Sequence, residues 1–113
     1  MSVDAELARQ LEQLRQQFAS GLPKRFDAID AAIDACRADP GNETPLRALM
    51  TVLHTLGGAA GIFGFAELGV AARSAEHGVA GWIADSSCHV PGIDELAAQV
   101  RTWRQQITPA SQG

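Results

Sequence analysis

The chain has 113 residues, 46% of them apolar and 19% charged, which suits one domain with a real core and leaves no room for a second. Thirteen acidic residues against nine basic give a formal charge of -4, and Lys24 is the single lysine. That balance excludes a phosphate-gripping nucleic-acid surface as the main function. Cys36 and Cys88 are too few for a disulfide scaffold and fit a reducing compartment. The stretch Met1 to Gln17 is charged and amphipathic without an apolar signal region, so a cytoplasmic location is expected.

Helical periodicity runs through the chain. Val3, Leu7, Leu11, Leu14 and Phe18 recur at steps of three or four, one apolar stripe on a helix. Gly21 and Pro23 interrupt, and Leu22, Phe26, Ile29, Ile33 and Cys36 make the next stripe. The two segments are read as separate helices, with one bent helix as the alternative. Asp39-Pro40-Gly41-Asn42 is a turn, after which Thr44 as N-cap and Pro45 behind it open a helix striped by Leu46, Leu49, Leu53, Leu56 and Ala60.

Gly61 to Gly64 ends that helix, and another begins near Phe65 with Leu68, Ala72, Ala75, Val79 and Trp82 inward. Asp85 to Gly92 reads as a loop, Ile93, Leu96, Val100, Trp103 and Ile107 as the last stripe, and 108–113 as a frayed tail. No segment alternates with period two. The expected fold is therefore all-α: an antiparallel up-and-down four-helix bundle with an additional N-terminal helix packed across one end, all in one domain, 1–113. Ala48 to Ala66 carries no charge, but His54, two threonines and four glycines make it a poor membrane span.

The glycines are the first oddity. Gly57, Gly58 and Gly61 sit in a helix of otherwise good formers, and each costs about 1 kcal/mol relative to alanine. At ~100° per residue, His54 points roughly 120° away from the middle of the apolar stripe. Arg47 and Gly58 share its face and Gly61 lies close by. An outward imidazole thus overlooks a strip of helix without side chains, where another protein can approach closely. A neutral imidazole keeps one ring nitrogen free as a nucleophile. The plain alternatives are a surface or packing histidine and glycines that let two helices cross.

His54-Thr55-Leu56-Gly57-Gly58-Ala59-Ala60-Gly61, with Gly64, Leu68, Ala72-Arg73 and Glu76 after it, resembles the signature of the histidine phosphotransfer (HPt) domain family. That signature reads His-x-Leu-Lys-Gly-Ser/Ala, then a turn glycine and a helix with leucines and a late Leu-Glu. The resemblance covers the whole chain and implies a four-helix bundle that carries phosphoryl groups in a bacterial-type two-component phosphorelay. It implies His54 as phosphoacceptor and Gly58 as the residue that gives a partner clearance. Gly57, Gly61 and Arg47 follow as weaker partner-binding positions. The implied partners are response-regulator receiver domains and a hybrid sensor histidine kinase, with the module monomeric and not itself an enzyme. No cofactor of its own is implied, the receiver bringing Mg²⁺. The chain departs from the pattern at Gly57, where the family has lysine. That lysine's charge would favour a phosphoryl group, so its loss puts transfer in doubt.

Other candidates are weaker. Glu76 and His77 read as a surface salt bridge or helix-end cap. Cys88-His89 matches no tight zinc spacing, so no metal site is expected. Asp27, Asp30 and Asp34 make a solvated acidic face, and Ile62, Phe63 and Phe65 read as core at the bundle's end. The rivals to a carrier are a degenerate module that docks receivers without phosphate, and a bundle that self-associates through its glycines. No ATP-binding pattern is present.

Overall fold

The inward stripes become the core of the computed structural model, which describes residues 3–86 and 89–107. There are four helices, α1 (Val3–Ala38), α2 (Glu43–Ile62), α3 (Ala66–Ala84) and α4 (Val90–Ile107), and no strand among the described residues. α1 packs on both α2 and α4, while α2 makes its closest approach to α3. Leu22, Phe26, Ile29, Ile33 and Cys36 of α1 are buried with Leu46, Leu49, Leu53, Leu56 and Ala60 of α2. α3 adds Leu68, Ala72 and Val79, and α4 adds Ile93, Leu96, Val100 and Trp103. Among the described residues this core holds no buried polar or charged side chain.

The expected separate N-terminal helix is not an element of its own. α1 runs as one helix of 36 residues with Pro23 inside it. At 1.5 Å per residue that is ~54 Å, against ~30 Å for α2, so its N-terminal half projects past the bundle instead of crossing its end. Val3, Leu7, Leu11 and Leu14 are exposed accordingly, and burial starts at Phe18. Because buried residues flank Pro23 at Leu22 and Phe26, packing holds the helix together through it. Proline costs about 3 kcal/mol against alanine in a helix, partly offset by ~1 kcal/mol through the unfolded chain. Pro23 is exposed, so Pro23→Ala is expected to raise stability by about 2 kcal/mol in urea unfolding.

Helix starts also differ from expectation. Asn42, not Thr44, caps α2: its backbone is extended, and Oδ1 accepts the Thr44 N–H at 3.0 Å. α4 begins at Val90, inside the expected loop, because His89 Nδ1 accepts the Gly92 N–H at 3.1 Å. Ser87, Cys88 and the tail 108–113 lie outside the described residues. α2 ends in a Schellman-type turn, with Gly64 at φ +87 and the Phe65 N–H donating to the Ala60 carbonyl at 2.8 Å.

Side chains lock the far end and the flank. Phe63 stacks on Phe18 at 5.3 Å and Phe65 lies tilted against it at 5.5 Å, as core at the bundle's end, whereas Ile62 is exposed. The acidic face of α1 is largely paired internally. Arg104 of α4 reaches Asp27 at 3.2 Å and Asp30 at 2.8 Å, and Arg37 reaches Asp94 at 2.7 Å and Asp34 at 3.6 Å. The Asp94 hydrogen bond holds the Arg37 pKa above its ordinary value.

Candidate functional site

The site begins with a backbone contact. A Cβ on Gly69 would lie 3.2 Å from both the Gly57 carbonyl oxygen and the Gly61 nitrogen, so α2 and α3 touch backbone to backbone. A Cβ on Gly57 would meet the Gly69 carbonyl at 3.4 Å and Arg73 Cγ at 3.0 Å. Gly57 and Gly69 are therefore small because the helices cross there. This antiparallel register sets position 61 against 69, 57 against 73 and, a turn further, 54 against 76.

That register brings together two residues 22 apart in sequence. His54 Nδ1 lies 2.9 Å from Glu76 Oε2. A carboxylate can only accept, so the proton sits on Nδ1 and the imidazole donates to Glu76. In the neutral ring Nε2 then carries the lone pair. The histidine side chain is 75% exposed and the glutamate 25%, so the anchor is sheltered at the helix seam while the imidazole stands in solvent. Glu76 lies within α3, away from its end. Sequence reasoning gave it a surface salt bridge or a helix-end cap; the cap is not seen, and the partner was missed, for which the late glutamate of the HPt signature was the one available signal.

The remaining predicted positions separate into three environments. At Gly58 a Cβ would meet nothing within 4 Å, so the fold does not require glycine there. Gly61 is exposed beside the Arg73 guanidinium, 3.8 Å from where its Cβ would stand. Arg47 is paired with Glu43 at 3.2 Å, about 10 Å from His54 along the axis. Ile62, on the same side of α2 as Gly58, adds exposed apolar surface. His77 is exposed on α3. A groove of about 880 Å³ at the other end, lined by Phe65, Leu68, Trp103 and Ile107, includes neither His54 nor Glu76.

Chemically, this is an oriented nucleophile without a pocket, and it needs a partner to supply everything else. The family model of the Hpt domain matches residues 5–108, and the chain belongs to that family. Hpt domains are phosphocarrier modules of two-component phosphorelays that interact with receiver domains and kinases. No match was found among curated proteins or among solved structures. None of the described helices is long and apolar enough to cross a membrane.

Glu76→Gln keeps a hydrogen-bond acceptor but removes the charge and offers a competing amide donor. With His54 as the acceptor proposed below, its labelling is expected to slow about tenfold, since charged hydrogen bonds are worth roughly 1.5–3 kcal/mol and this one is partly exposed. Stopped-time labelling of the two proteins side by side measures it, with thermal unfolding as the check on folding.

Proposed function

We propose that this chain relays phosphoryl groups between receiver domains, or from a hybrid sensor histidine kinase to a response regulator, with His54 as the phosphoacceptor. The reading rests above all on the His54–Glu76 hydrogen bond, which leaves Nε2 free and exposed. Nε2 attacks the phosphorus of a receiver's aspartyl phosphate, the P–O bond to the aspartate breaks, and that carboxylate leaves. The imidazole gains positive charge as the N–P bond forms, and the Glu76 carboxylate stabilises it through the Nδ1 proton. The reverse step passes the group to the aspartate of a second receiver.

Gly58 gives the incoming receiver clearance, Gly61 and Ile62 extend the contact along α2, and Arg47 and Gly57 lie at its margin. The chain acts as a monomer in the cytoplasm, and the receiver brings the Mg²⁺. Incubation with a phosphorylated receiver is expected to leave an acid-labile, alkali-stable label on this chain, the stability pattern of a P–N bond. Receiver binding without label would support a docking module, a reading that the missing lysine at 57 favours. Neither binding nor label across several receivers would leave a plain helical bundle.

A further inference from the structure

We propose that Arg73 of α3 is the phosphoryl-binding cation of this site, reaching it across the gap that Gly57 leaves in α2. The inference rests on His54 as the phosphoacceptor. A phosphoryl group on Nε2 carries about two negative charges in the neutral range, and Glu76, one turn from Arg73 on the same helix, adds a third. A cation close by favours the formation and persistence of such a group. Of the basic residues, Arg9, Arg15, Arg37, Arg47 and Arg104 each hold a carboxylate, while Lys24, Arg25 and Arg101 lie on α1 and α4 and not on the two helices that carry His54 and Glu76. Arg73 is exposed and has no ion pair or hydrogen bond among the described residues.

Its placement is specific. Arg73 Cγ lies 3.0 Å from where a Gly57 Cβ would be, and Nη2 lies 3.8 Å from where a Gly61 Cβ would be. The aliphatic stem therefore crosses the bare strip of α2, with the guanidinium resting over Gly61. Position 57 is one turn from His54 on the same side of the helix, where residues three apart are neighbours. The same number of bonds separates Cγ from the guanidinium carbon of arginine as from the ammonium of lysine. Turning about the stem's outer bonds swings the guanidinium from Gly61 toward the imidazole, and neither Gly57 nor Gly58 has a side chain in the way. A guanidinium there can grip two phosphoryl oxygens at once. The glycine at 57 is thus the room that the arginine of the neighbouring helix occupies.

The test uses the full chain phosphorylated by phosphoramidate, a small donor that needs no docking, and then by a phosphorylated receiver. Arg73→Gln is expected to slow His54 labelling by about tenfold with either donor, and Arg73→Lys to stay within about threefold of wild type. In ³¹P spectra the titration midpoint of the phosphoryl group on His54 should rise by about half a unit in Arg73→Gln, an effect of lost charge that a packing role would not produce. The decisive protein is Gly57→Lys/Arg73→Ala. With Cγ removed, the nearest atoms to the new Cβ are the Gly69 carbonyl oxygen at 3.4 Å and the residue-73 nitrogen at 3.5 Å, which is ordinary contact. The lysine should restore labelling to within about threefold.

Wild-type rate and an unmoved midpoint in Arg73→Gln would overturn the role of Arg73 while leaving His54 as acceptor. A wild-type chain that phosphoramidate leaves unlabelled at His54 would overturn the carrier itself. If the double variant does not fold, the glutamine and lysine variants decide the matter alone.

Discussion

A His54→Gln protein is expected to take up no acid-labile phosphoryl group from a phosphorylated receiver, a loss limited only by the detection floor. The substitution removes the one ring nitrogen that is both oriented and open. The other described histidines cannot replace it in place: His89 Nδ1 accepts the Gly92 N–H at the start of α4, and His77 is exposed one residue beyond Glu76. Glutamine keeps a donor for Glu76 and has good helix propensity. Because the histidine is three-quarters exposed, urea unfolding should shift by no more than ~0.5 kcal/mol. Receiver binding should survive as well, since the glycine strip beside it is unchanged. Label that persists in this variant would move the acceptor to another residue, with His77 the first to substitute. Loss of label together with loss of folding would make the result structural, which is why the unfolding curve belongs to the same experiment.

The core was legible because helical stripes depend only on spacing, and the stripe assigned to α2 is buried in full. Its ends were less legible. Thr44 and Asn42 are both capping types two residues apart, and only the hydrogen bond to the Thr44 nitrogen separates them. Pro23 misled for a different reason. A local penalty of a few kcal/mol marks a break in an isolated helix, but burial of Leu22 and Phe26 on the bundle outweighs it. The same continuity carries the stripe from Val3 to Leu14 out past the core, which no local pattern reveals.

At the site, the outward direction of His54 followed from counting turns, and its exposure agrees. The pairing with Glu76 did not follow, because it depends on how α2 and α3 slide against each other. Gly57, Gly61 and Gly69 set that register by allowing backbone contact. Sequence alone treated the glycines of α2 as one open strip. In three dimensions they divide: Gly57 is consumed by packing, Gly61 lies under a guanidinium, and only Gly58 faces space that the chain itself leaves unused.

That division leads to the second large effect, at Gly58. Glycine in mid-helix costs about 1 kcal/mol relative to alanine, and a Cβ here would touch nothing within 4 Å. Gly58→Ala and Gly58→Gln should therefore both unfold at higher urea, by up to ~1 kcal/mol, with glutamine close to alanine in propensity. Transfer from a receiver should respond in the opposite direction. A glutamine side chain one turn from His54 on its own face stands where an approaching active site must come within bonding distance of Nε2. Near-attack geometry tolerates little displacement, and a misplacement of ~1 Å costs on the order of a hundredfold. Gly58→Gln is thus expected to lose about two orders of magnitude in receiver-dependent labelling, and Gly58→Ala much less. Phosphoramidate, too small to meet the new side chain in the same way, should label His54 in Gly58→Gln at close to the wild-type rate. A protein more stable than its parent, chemically competent at its histidine and unable to receive from a receiver would locate the defect in docking. Equal slowing with both donors would instead place it at the imidazole, and unchanged receiver transfer would remove Gly58 from the contact.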